Sequence, residues 1–269
     1  MQLTWTSKTY LCATALTLGG ALLLVLVGGQ PSPWDSWRQA TCMPSGCFCE
    51  AVRAQLLRQP SNAVTSLAFV PTALFCFACA RRDTLLPRPG ATLQPLHSWL
   101  LGIALLLIGL GSAFFHASLT FVGQTADVFG MNLFASFLLV YGAATRFGLR
   151  ASSAAGLFVG GNAALLVVIL ALPELRRYTF GALTLLALVL LMQSASYGKA
   201  RHSRGRLLAA LLSFVLALIF WVLDLQGLFS SPESLLQGHA LWHLGCGFAA
   251  AQAYAYLRSG RAPLVAGGA

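Results

Sequence analysis

The stretch Leu110-Gly-Ser-Ala-Phe-Phe-His-Ala-Ser-Leu-Thr-Phe-Val-Gly-Gln-Thr-Ala-Asp127 closes one long apolar run and opens the next, yet it holds a serine, a histidine and a carboxylate. Its counterpart lies far downstream in His239-Ala-Leu-Trp-His243, at the start of the last apolar run. Residues four apart share one face of a helix, so Ser112 goes with His116 and His239 with His243. Three imidazoles, a carboxylate and a hydroxyl at the ends of apolar segments form the pattern of a metal site.

The runs on either side of this stretch set the fold class. Eight apolar segments are read at approximately 10–29, 63–80, 99–119, 125–145, 154–172, 179–195, 207–226 and 238–257, and a run of ~18 apolar residues is long enough to cross a bilayer as a helix. Of the 269 residues 57% are hydrophobic and 9% charged, against roughly 25% charged in soluble domains. Alternating ten-residue strands, the signature of a membrane barrel, are absent. The expectation is an all-α polytopic membrane protein: a seven-helix transmembrane bundle plus an extra N-terminal transmembrane helix. Residues 1–30 read as a membrane anchor or signal-like helix, 31–62 as an outer loop, and 63–269 as the bundle in a single domain. Val27-Gly-Gly-Gln30 is a poor small-x-small cleavage site, which favours an anchor.

The formal charge of +10 is read as orientation, not as a nucleic-acid surface, because no basic stripe interleaved with aromatics is present. With the N-terminus inside, the inner segments hold Lys8, Arg81, Arg82, Arg88, Arg146, Arg150, Lys199, Arg201, Arg204, Arg206, Arg258 and Arg261. The outer ones hold Arg38, Arg53, Arg58, Arg176 and Arg177. Twelve against five satisfies the positive-inside bias. Both termini are therefore expected in the cytoplasm. On that orientation Ser112, His116, Asp127, His239 and His243 fall at one depth in the outer half of the bilayer, a coincidence the basic residues did not impose. His97 and His202 fall on the other side. Asp224, at the outer end of its segment, either orients a ligand imidazole or is merely interfacial.

The loop 31–62 is broken by Pro31, Pro33, Pro44 and Pro60, with Glu50 to Gln59 expected as a short amphipathic helix at the interface. Trp34 and Trp37 suit a headgroup-level belt. Cys42, Cys47 and Cys49 cluster in this loop, where an oxidising compartment would permit a disulfide among them. Cys12, Cys76, Cys79 and Cys246 lie in apolar runs as small packing residues. Gly109, Gly111, Gly245 and Gly247 are placed to let helices approach closely.

Ionisable groups inside membrane helices cost about 2.5–3.5 kcal/mol each for a central Asp on insertion scales, so Asp127 beside three histidines calls for a use. Zinc supplies one: neutral imidazoles are preferred ligands, and a catalytic site keeps one position open. The ion brings the pKa of water towards ~7. Asp127 then serves as general base and acid, and Ser112 holds the water or an oxyanion. Cys246, three residues after His243, is an alternative ligand.

At these residues the chain resembles the alkaline ceramidase family, within the superfamily of seven-helix membrane hydrolases that includes the adiponectin-receptor-like proteins. The matching pieces are Gly111-Ser-Ala-Phe-Phe-His116, Gly123-Gln-Thr-Ala-Asp127 and Gly238-His-Ala-Leu-Trp-His243. The resemblance implies a zinc-dependent amidase that cleaves ceramide, a membrane lipid, into sphingoid base and fatty acid. It further implies His116, His239 and His243 as zinc ligands, with Ser112 and Asp127 supporting water and transition state. The first helix is extra to the family. Its members often bind calcium through acidic residues before the first core helix; Cys49-Glu50 and Asn62 are similar to that segment, but the stretch between them holds Arg53 and Arg58 and no second carboxylate, and no calcium site is claimed. Two rival readings are a zinc hydrolase of another lipid ester or amide, and a receptor-like protein with structural zinc.

Overall fold

The computed structural model describes residues 4–43, 46–197 and 202–262, leaving aside the side chains of 195–197. Pro44, Lys199 and Arg201, all used in the sequence reading, lie outside the described residues. Among those described, the chain is helical and forms no strand. The helices are α1 (Trp5–Val27), α2 (Pro60–Ser66), α3 (Val70–Leu85), α4 (Pro95–Ser118), α5 (Phe121–Phe147), α6 (Ala151–Ala171), α7 (Arg176–Tyr197), α8 (Arg204–Leu225) and α9 (Gly238–Arg258). A 3-10 turn at Leu67–Phe69 joins α2 to α3, so the two form one membrane-length element from Pro60 to Leu85.

Seven of these elements are long and apolar enough to cross a membrane, and the chain is a polytopic helical bundle. The eighth, α9, is 21 residues long and falls outside those seven, with His239, His243, Gln252 and Arg258 interrupting its apolar run. Local chemistry sets the helix ends. Pro60 and Pro95 start α2 and α4, where a missing N–H costs nothing. Thr120 caps α5 by accepting from the Gly123 N–H, and Gly148 ends it with a φ of 66°.

Helices α4 and α5 form a hairpin with only Leu119 and Thr120 between them. Their backbones run close together: a Cβ added at Gly111 would meet Ala126 carbonyl carbon at 3.0 Å, and one at Gly130 would meet Ile108 N at 2.8 Å. The glycines expected to allow close approach do so, Gly247 against Ala68 and Gly245 against Ala217 included. At one end of the bundle, Arg82 lies over the Trp5 ring and Arg258 pairs with Asp83 at 2.6 and 2.9 Å. The start of α1 and the end of α9 therefore share that end. The loop after α1, the α4–α5 turn and the start of α9 gather at the other.

The loop departs from expectation. Glu50 to Gln59 is irregular, not an amphipathic helix, because its polar groups have tertiary partners. The Glu50 carboxylate accepts from the Ser61 and Asn62 N–H groups at 2.7 and 2.9 Å, capping α2. The N–H groups of Arg58 and Gln59 donate to the carbonyls of Ala117 and His116. Burial pushes the Glu50 carboxyl up, while the Ser61 and Asn62 N–H donors and Arg53 pull it down. Trp34 packs on Trp37 and Phe114 and donates to the Leu56 carbonyl. Cys42 is bonded to Cys47 and Cys49 keeps its thiol.

Candidate metal centre

The last turn of α4 and the first turns of α9 meet at the loop end of the bundle. There the imidazoles of His116, His239 and His243 are all buried, and one nitrogen from each lies within 4.8 Å of the others. His239 Nε2 is 3.2 Å from His116 Nε2. Ser112, one turn before His116, places its hydroxyl 3.4 Å from His243 Nε2 and 3.1 Å from the Ser66 hydroxyl. Asp127, from the second turn of α5, interacts with Ser112 through its carboxyl. All five residues singled out in the sequence thus come together.

Neighbouring residues settle which ring nitrogens are free. The Gln59 side-chain N–H donates to the Glu50 carbonyl at 3.0 Å, so its amide oxygen faces His116 Nδ1 at 2.9 Å. Nδ1 must then carry the proton, leaving the Nε2 lone pair for the centre. Around His243, Thr65 and Ser66 spend their hydroxyl protons on the carbonyls of Ser61 and Asn62. Each then accepts from His243 Nδ1, at 3.2 and 3.3 Å, and Nε2 is again the free nitrogen. His239 Nδ1 is buried without a hydrogen-bond partner among the described residues.

Two Nε2 lone pairs share one small buried space with a third imidazole 3.2 Å away, and a cation would satisfy them together. The donor set is all nitrogen, which suits zinc among the hard and borderline divalent ions. Cys246 is not part of the group of potential ligands, which consists of the three histidines.

The family model described as Ceramidase matches residues 47–264. The chain belongs to the ceramidase family. No individual curated protein matches it. The matched stretch includes all five site residues and the Cys47–Glu50 part of the loop, and leaves α1 outside. Ceramidase membership implies a hydrolase that acts on amide bonds, and with the apolar helices it implies a membrane lipid as substrate.

Sequence reasoning missed Gln59, Thr65 and Ser66, which hold the imidazoles from behind. Their signal was faint: polar residues at the start of an apolar run look like ordinary helix-capping chemistry. It also left Asp224 between two roles, and the described contacts favour a third. Asp224 is buried and accepts from the Cys49 N–H at 3.1 Å, with the Ser230 hydroxyl at 3.5 Å. It anchors the loop. His97 caps the start of α4 and His202 stacks on Tyr256, both away from the centre.

Proposed function

We propose that this ceramidase-family protein is an integral-membrane, zinc-dependent amidase that hydrolyses ceramide or a ceramide-like N-acyl lipid to a sphingoid base and a fatty acid. The observation that carries the reading is the convergence of three buried imidazoles, two with their Nε2 lone pairs freed by hydrogen bonds at Nδ1. His116, His239 and His243 would hold the ion. When bound, zinc supplies Lewis acidity that polarises the acyl carbonyl and eases deprotonation of water.

The chain's own residues do the rest. Asp127 takes a proton from the attacking water and returns it to the amide nitrogen as the C–N bond breaks, so the base leaves as a neutral amine. Ser112 faces both His243 and Asp127 and donates to the oxygen on which negative charge develops. In this reading residues 63–269 are the hydrolase bundle, 1–30 an anchor and 31–62 an outer loop. Both termini face the cytoplasm and the centre lies in the outer half of the bilayer.

The test is hydrolysis of a panel of N-acyl lipids and lipid esters by purified protein, with a chelator and with zinc restored. Near one zinc per chain, and activity on ceramide that the chelator removes, are expected. Asp127→Asn should keep its zinc and lose about 10²–10⁴ in turnover. Zinc-free active protein, or a fully active Asp127→Asn variant, would overturn the mechanism.

A further inference from the structure

A ring from the loop covers the imidazole cluster. Phe48 stacks on His239 with centroids 3.5 Å apart and planes 19° from parallel. It also approaches His116 at 5.2 Å and Phe115 at 6.4 Å. The three histidines are buried, while Phe48 itself is partly exposed. The ring is therefore the boundary between the cluster and whatever lies beyond the loop.

The chain fastens this ring on both sides. Cys47 is buried and bonded to Cys42. On the other side the Cys49 N–H donates to Asp224, and its thiol to the Ser230 carbonyl at 3.2 Å. Ala51 N–H donates to the Pro232 carbonyl at 2.8 Å. Of the five site residues, Ser112 and the histidines are buried and Asp127 alone is partly exposed. The Asp127 carboxyl is enclosed, and the part of the residue that is exposed lies on α5, one of the membrane-length helices, so the centre comes closest to the surface on that apolar flank.

We propose that Phe48 is the wall that shuts the centre to the aqueous side and restricts it to amides arriving from within the bilayer. It is a specificity-determining residue: a lipid with its tails among the helices can bring its amide past Asp127, whereas a water-soluble amide meets a phenyl ring. The proposal rests on the zinc amidase reading and can fail separately from it.

The experiment uses the full chain, zinc-loaded and in lipid nanodiscs, with Phe48→Trp, Phe48→Leu and Phe48→Ala. Zinc release to the hydrophilic chelator EDTA is followed with time. Release from Phe48→Trp should match wild type, Phe48→Leu should be faster, and Phe48→Ala faster still by at least about tenfold, because an apolar shell controls solvent access to a metal. The preference for a long-chain bilayer-embedded N-acyl lipid over a short-chain soluble one should fall in the same order. If Phe48→Ala does not fold, the Trp and Leu variants still give the order. Equal release rates and equal preferences across the folded variants would overturn the wall. Wild-type protein that takes up no zinc would instead overturn the metal reading beneath it.

Discussion

Over an 18-residue stretch of each, helices α4 and α6 are almost equally apolar, with mean hydropathies of 2.1 and 2.2, yet 67% of that stretch is buried inside the protein in α4 and 11% in α6. Hydropathy measures how readily a segment leaves water, and lipid and protein interior satisfy it alike. The difference lies in what interrupts the apolar run. Helix α4 carries Ser98, Ser112, His116 and Ser118 on its buried face, whereas α6 has Asn162 as its one buried polar residue among those described. Buried polar groups need partners, and only neighbouring helices can supply them in a membrane. A polar residue within an apolar run is thus the better guide to which helix forms the core.

The contrast can be broken most sharply at His116. His116→Ala should reduce bound zinc from about one per chain to none and abolish hydrolysis, read by metal analysis alongside the lipid assay. A variant that keeps both would show that burial in α4 is packing alone. The next effect is at Gln59, which reaches α4 from the loop. Gln59→Leu should lower zinc affinity about 10–100-fold, measured by chelator competition, because the His116 ring loses the acceptor that fixes its tautomer. The smallest expected effect sharpens the comparison directly. Gly111→Val drives a side chain into the α5 backbone and should cost about 1–3 kcal/mol, whereas Gly160→Val on α6 meets nothing within 4 Å and should leave thermal stability unchanged. Equal melting shifts would refute the division into core and lipid-facing helices.

Much of this architecture was legible before any coordinates. The apolar runs located every long helix, because membrane insertion imposes a length and a composition that short stretches of sequence must satisfy by themselves. The expected run at 63–80 became Pro60–Leu85 for a local reason: polar Ser61 and Asn62 at one end, and Arg81, Arg82 and Asp83 at the other, belong to the helix but not to the apolar pattern. The three histidines could be grouped because spacing on a helix and depth in a bilayer are both sequence properties. Gln59 could not, since its role depends on its N–H meeting the His116 carbonyl across 57 residues of chain. The same applies to Glu50–Gln59, where amphipathic periodicity predicted a helix. Its carboxylate and amides had better partners in α2 and α4.

The tight corner at Leu119 has a consequence for biosynthesis. This residue is fully buried with a φ of 49°, a left-handed conformation unusual for leucine, and its carbonyl accepts from the Ala40 N–H at 2.9 Å. The corner lets His116 and Asp127 be placed together as soon as one hairpin has left the ribosome. His239 follows His116 by 123 positions, so the other two histidines of the cluster emerge only with the final helix. On the zinc reading proposed above, nascent chains halted before residue 238 would present only one histidine of the cluster and bind the ion poorly, which would make capture of the metal a closing step and a natural check that every span has been inserted.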